Sequence, residues 1–221
     1  MIAKSILQFL TNLRENNNRD WFEAHRDDYL AAKENVTASA DAVTAGLNRT
    51  DEIARCYVYR IYRDLRFSKD KTPYKDHFNA YFYRAGAQRR GGYVFRIGTE
   101  RNSQAGGGFF GPDKDDLLRI RRELEFDSHP IEEITQHPNF LHHFEALRGE
   151  AVRTAPRGFD KNHPNIAWIR KKQFYALRPF SDEEVLRPDF VEQTVATLRV
   201  LRPFFDYMSE VLTTNTNGEA T

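Results

Sequence analysis

A chain of 221 residues with 40% hydrophobic and 13% aromatic side chains can bury a substantial core. With 33 basic against 32 acidic groups, it lacks the long-range positive field of a dedicated nucleic-acid binder. A single cysteine, Cys56, excludes an intrachain disulfide and a zinc site of several thiolates, and no stretch approaches the roughly 20 apolar residues of a membrane span. Gln8, Thr11 and Asn12 interrupt the apolar N-terminus where a signal core would be continuous, so the expectation is a cytoplasmic protein without a membrane partner.

In chain order, Ile6, Phe9, Leu10 and Leu13 fall on one face of a short helix with Ser5 as a weak cap. The Asn16–Asn18 run breaks it, and Asn17 or Asn18 starts the next helix by accepting exposed backbone N–H groups. Phe22, Tyr29, Ala32, Val36 and Val43 keep an apolar face through about Gly46, with His25 on the same stripe as a satisfied boundary residue. From Cys56 the period changes to two: Tyr57, Tyr59, Ile61 and Arg63 alternate with Val58, Arg60, Tyr62 and Asp64, a strand with a polar end.

Phe78, Ala80 and Phe82 mark a second strand, and Tyr93, Phe95 and Ile97 a third, with Gly86–Gly92 as the loop between them. Gly106–Gly108 before Phe109 reads as a fourth extended segment or a tight loop. The short connections predict antiparallel neighbours. Helices follow after Asp113, over Ile131–Gln136, over Asn139–Leu147 and around Trp168, then a last strand from Phe174 to Pro179. A closing helix from about Pro188 to Leu212 is kinked or divided at Pro203. The fold class is α+β: one domain over residues 1–212, mainly an antiparallel sheet packed by N-terminal and C-terminal helices, with a disordered polar tail over 213–221.

The chemistry concentrates between Arg60 and Lys75. Six cations (Arg60, Arg63, Arg66, Lys69, Lys71 and Lys75) stand there against two acids, Asp64 and Asp70, a local charge of +4 in a chain of net charge +1. Guanidinium groups grip carboxylate or phosphate in bidentate fashion and lysines add movable point charges, so converging cations make an anion clamp. Asp64 or Asp70 would orient them or act as a base, with Tyr74 or His163 as an acid. A second reading is a purely structural ionic brace, in which the same acids pair with the same cations.

Gly107 and Gly108 could offer backbone N–H groups to an anion near the helix that starts at Asp113, although Asp113, Asp115 and Asp116 would repel it; sheet packing is the other reading. His163-Pro164 with Arg170, Lys171 and Lys172 adds one imidazole and three cations, or merely caps a helix. No His pair has metal-binding spacing, so no metal site is expected. Nothing indicates a cofactor, an oligomeric state or a reaction.

The pieces Trp21-Phe22, Tyr62 through Lys75, Gly106-Gly107-Gly108, Pro156-Arg157-Gly158-Phe159 and His163-Pro164 together resemble the domain of unknown function family 2461 of bacteria and fungi. The resemblance runs from Phe9 to about Phe205. It implies a single domain and supplies no activity. The functional expectation is therefore an uncharacterised protein that binds a small phosphate- or carboxylate-bearing ligand through the Arg/Lys/Asp loop and that could be an enzyme. The alternatives are a nucleotide or nucleic-acid binding module, with a basic face extending to Arg84, Arg89 and Arg90, and a protein-interaction module with an ionic brace.

Overall fold

The computed structural model describes residues 1–66 and 68–214. The fold is α+β, built on one five-stranded antiparallel sheet in the order β1-β2-β3-β4-β5. The strands are β1 (Ile53–Val58), β2 (His77–Arg84), β3 (Gly92–Gly98), β4 (Ser103–Phe109) and β5 (Phe174–Phe180). Chain contacts gather the protein into two compact units. The first comprises Met1–Phe82, Val94–Ala105 and Pro179–Ala196; the second comprises Tyr83–Tyr93, Gly106–Arg178 and the chain from Thr197 onward. This internal division of the expected domain has no counterpart in composition or linkers.

In the first unit, α1 (Lys4–Glu15) buries Ile6, Leu7, Phe9, Leu10 and Leu13. α2 (Arg19–Ala24) starts where Asn18 Oδ1 accepts the Trp21 amide at 2.9 Å, the cap expected of an asparagine before a helix. The chain breaks at His25 before α3 (Arg26–Leu47), so the single helix expected through Gly46 is two. Even-numbered β2 residues Phe78, Ala80 and Phe82 are buried, as are Phe95 and Ile97 of β3. Cys56 faces α3, where its thiol bonds to Thr44 and burial pushes it up to about 11. That is the behaviour of a packed side chain, not of a nucleophile.

β1 ends at Val58, earlier than alternation predicted. Tyr59 donates its amide to Asn79 O at 2.8 Å, yet Lys75 donates to Ile61 O at 2.7 Å. Two residues advance on one strand while four are consumed on the other, a bulge that breaks the ladder. Beyond it the backbone pairing shrinks to an isolated antiparallel bridge, Tyr62 to Tyr74, among the described residues. Arg60, Tyr62, Asp64 and Arg66 therefore do not continue a regular strand face.

The second unit contains α4 (Lys114–Phe126), α5 (His129–Gln136), α6 (Pro138–Phe144), α7 (Ile166–Ile169) and α10 (Arg202–Thr213). The first unit contributes α8 (Asp182–Val185), and α9 (Phe190–Arg199) precedes α10, so the closing helix is divided just before Pro203 as proline requires. Helix α10 runs to Thr213, one residue into the segment expected to be a disordered tail; residues 215–221 of that tail lie outside the described residues.

The glycine run lies within β4. A Cβ on Gly106 would sit 2.0 Å from Ala176 O, and one on Gly108, at φ +148°, 2.3 Å from Phe174 O. The absence of side chains lets this part of β4 lie against the β5 backbone, which is the sheet-packing reading of the triplet.

Candidate functional site

The loop after β1 is held by its own ions. Arg63 donates Nε to Tyr74 O at 2.9 Å and pairs with Asp70 through Nη1. Asp70 also accepts the Thr72 amide at 3.0 Å and the Thr72 hydroxyl at 2.8 Å, and these two bonds hold its carboxyl below the usual range. Arg66 reaches Asp64 in a bidentate pair, with Nη2 to Oδ2 at 2.6 Å, which lowers the Asp64 carboxyl. Lys71 Nζ donates to Leu65 O at 3.0 Å. Among the described residues, Lys69 and Lys75 make no side-chain hydrogen bond or ion pair, and Arg60 lies 6.0 Å from the Tyr62 ring. Two carboxylates held this firmly in their ionised form suit ion pairing better than proton transfer.

An aromatic cluster fixes the loop to the helices. Phe22, fully buried, stacks on Tyr74 at 4.0 Å and meets Tyr62 edge-on at 5.6 Å. Tyr29 of α3 packs against Phe22 and Tyr62, and stacks on Phe78. Asn17 closes the arrangement from the α1–α2 turn: its Oδ1 accepts the Tyr74 amide at 3.1 Å and its Nδ2 donates to Tyr74 O at 2.9 Å. Burial raises the Tyr74 hydroxyl above its ordinary pKa.

Where the loop runs into β2, the other face of the sheet carries a row of half-buried polar groups that the sequence reading did not single out. His77 Nδ1 lies 3.1 Å from Asp76 Oδ1, with side-chain exposures of 16% and 26%. Arg96 of β3 donates Nε to Asn79 Oδ1 at 2.8 Å and Nη1 to Asn102 Oδ1 at 3.3 Å. Both partners are neutral amides, and Arg96 makes no ion pair among the described residues. Burial lowers its pKa, while the nearby charge of Asp76 works the other way. The available signal was the polar phase of β3, an arginine between Phe95 and Ile97.

Burial, offset in part by the Asp76 hydrogen bond, places the His77 pKa below 6.5; Arg96 and Lys75 push the same way as burial. The imidazole is neutral in the folded protein and free to protonate once unfolded, so below pH 6.5 the unfolded chain binds more protons. Its contribution to stability is complete above that pH and is lost as pH falls through the folded value. Denaturant unfolding at pH 7.5 and pH 5.5 is expected to show wild type losing more stability than His77→Gln. Equal losses would mean that burial does not hold His77 neutral.

The remaining candidates belong to the second unit. Gly107 and Gly108 are buried in β4, and a Cβ on Gly107 would lie 2.6 Å from Gly92 O. His163 Nδ1 accepts the Asn165 amide at 3.1 Å in the turn before α7, whose N-cap residue is Asn165, so it is satisfied locally without capping the helix. Of the three arginines of the expected basic face, Arg84 is buried with Asp206 and the Phe205 ring, Arg89 donates to Ala85 O at 3.2 Å and Arg90 pairs with Asp116.

A cleft of about 350 Å³ opens among α1, α2 and α3, with Phe9, Trp21, His25, Asp28 and Asn35 in its walls. His25 stacks on Trp21 at 4.0 Å and lies 2.8 Å from Trp21 O, so it is satisfied locally. No Lys or Arg lines this cleft, which separates it chemically from the cation row. No helix is long and apolar enough to cross a membrane, and no group of three or more metal-ligating side chains comes together, among the described residues.

By fold this is an α+β protein on an antiparallel sheet, with an ion-braced loop leading into a polar sheet face. The chain belongs to the family described as conserved hypothetical protein (DUF2461), whose pattern matches residues 5–207. No curated protein and no solved structure matches it significantly.

Proposed function

We propose that the protein binds a small phosphate- or carboxylate-bearing ligand where the loop meets the polar sheet face, with Arg96 and Lys75 as the contacting cations and His77 as a proton-responsive partner. One observation carries this reading: Arg96 is a half-buried guanidinium whose hydrogen bonds, among the described residues, go to neutral amides. A desolvated charge without an ion pair is costly even with Asp76 nearby, and an anion relieves part of that cost. Arg63 and Arg66 then act as positioning residues, since their charges are paired within the loop, Lys71 is tied to the Leu65 carbonyl, and Arg60 and Lys69 add to the local field. The sheet packing of Gly107 and Gly108, and the local turn bond of His163, leave these three outside the contact set.

If the bound ligand is transformed, the Asp76–His77 pair is the better proton carrier than Asp64 or Asp70, because burial keeps the His77 imidazole neutral and able to accept a proton while those carboxylates are held ionised. A cytoplasmic location accords with a lone, half-buried thiol.

The test is calorimetric titration of the full chain with inorganic phosphate and with citrate at low and high salt. Saturable binding that tightens toward lower pH, as His77 gains a proton beside the anion, is the expected result. Absence of saturable binding by either anion would remove the reading.

A further inference from the structure

The cleft among α1, α2 and α3 has the opposite chemistry from the cation row, and two matched helix stripes make its long walls. Ser5, Gln8, Phe9 and Asn12 recur at i, i+3, i+4 and i+7 on α1, and Asp28, Ala31, Ala32 and Asn35 repeat that spacing on α3. Facing stripes of this kind close a helix seam when they are apolar throughout. Here Phe9 is the one large apolar side chain of the eight, and the seam stays open as a cleft of about 350 Å³, at the small end of ligand pockets. Asn35 Oδ1 accepts the Ala3 amide at 3.4 Å, which marks one end, and His25 with Trp21 bounds the other. Asp28 precedes Asn35 by seven residues, roughly 10 Å along the helix axis.

Asp28 is the single carboxylate in these walls, and no Lys or Arg there offsets it. Its side chain makes no hydrogen bond or ion pair among the described residues, while Arg26 turns to Glu23 at 3.3 Å. Two more acceptors line the same cleft. His25 Nδ1 lies 2.8 Å from Trp21 O and must donate to it, so Nε2 of the neutral ring keeps a lone pair. Gln8 gives its Nε2 to Asn12 Oδ1 at 2.8 Å and keeps Oε1. Three acceptors match the three N–H groups of a primary ammonium, whereas an anion would meet the Asp28 charge. His25 covers one face of Trp21, and Phe9 packs against that ring at 6.1 Å, so these rings serve as apolar walls and not as a stacking platform. We propose that the cleft binds a small primary amine, with its ammonium at Asp28 and its apolar stem along Phe9, Ala31 and Ala32. This site is independent of the anion reading.

The experiment follows the isotope-labelled full chain by NMR while pentylamine, pentanol or pentanoate is added at fixed salt. The expected result is saturable shifts at the Trp21 indole N–H and at amides between Asp28 and Asn35, with pentylamine binding roughly 2- to 5-fold more tightly than pentanol, the increment of an ion pair open to solvent. Asp28→Asn keeps the size of the side chain and should make the two affinities equal. Ala31→Leu fills the cleft and should weaken amine and alcohol alike. Both residues are exposed, so both variants are mild for the fold. Equal affinity of wild type for amine and alcohol, a preference for pentanoate, or no saturable shift would overturn the proposal. So would shifts centred on other residues, or binding unchanged in Ala31→Leu. Tighter binding of Nα-acetyl-lysine-N-methylamide than of pentylamine would overturn the commitment to a free amine in favour of a partner protein's side chain. Phosphate and citrate binding at Arg96 is read separately, so either reading can fail alone.

Discussion

Phe22→Ala is expected to lower the stability of the protein by about 3–5 kcal/mol, the range for removing a large aromatic from a packed core. Phe22 is fully buried, and three tyrosines converge on it: it stacks on Tyr74 at 4.0 Å and touches Tyr29 and Tyr62, which contact each other. The loss would not be confined to transfer of one ring to water. Tyr74 is the residue that Asn17 clasps through both backbone groups, and Arg63 donates to the same carbonyl. Removing Phe22 therefore withdraws the support behind the loop as well as leaving a cavity in the core. Denaturant unfolding measures the first effect, and faster hydrogen exchange at the Arg63 and Lys75 amides the second. A loss below about 1.5 kcal/mol with unchanged exchange would mean that the loop is held by its ions alone.

Arg96→Met separates function from stability. Methionine keeps much of the length of the side chain and removes the desolvated charge, so the expected change in stability is within about 1 kcal/mol of wild type in either direction. The two bonds to Asn79 and Asn102 are lost, but both amides lie on the half-exposed face and can turn to water. Anion binding should fall by roughly 10- to 100-fold, the equivalent of one or two hydrogen bonds to a charged group. A variant that unfolds readily would mark Arg96 as a structural residue. A folded variant that binds phosphate as well as wild type would exclude it from the ligand.

Much of the fold was legible because its signals are local. The period-two run of Phe78, Ala80 and Phe82, the asparagine cap before Trp21 and the proline at residue 203 each act within a few residues of themselves. Helix α8 was equally legible and was passed over: Ser181 and Glu184 form a reciprocal capping box, with Ser181 N to Glu184 Oε2 at 2.7 Å. The end of β1 was not legible. It depends on a change of register between Tyr59–Asn79 and Ile61–Lys75, and pairing across strands leaves no mark in either strand alone.

The site was half legible for the same reason. Charge density located the loop, but density could not show that Asp64 and Asp70 consume the charges of Arg66 and Arg63. Arg96 sits 21 residues beyond Lys75, outside any window drawn around the charged run. Only the alignment of β2 with β3 brings it beside Asn79 and His77. The burial of Arg84 was hidden likewise, because its partners Asp206 and Ser209 lie more than a hundred residues away in sequence.

The central claim is that an anion sits against Arg96 rather than among the cations of the loop. A crystal of the full chain soaked in tungstate, a phosphate mimic with strong anomalous scattering, tests it most directly. The account predicts an anomalous peak within hydrogen-bonding reach of the Arg96 guanidinium, with His77 and Lys75 beside it. A peak bound only by Lys69, Lys71 and Arg66, or none on this face at all, would contradict it.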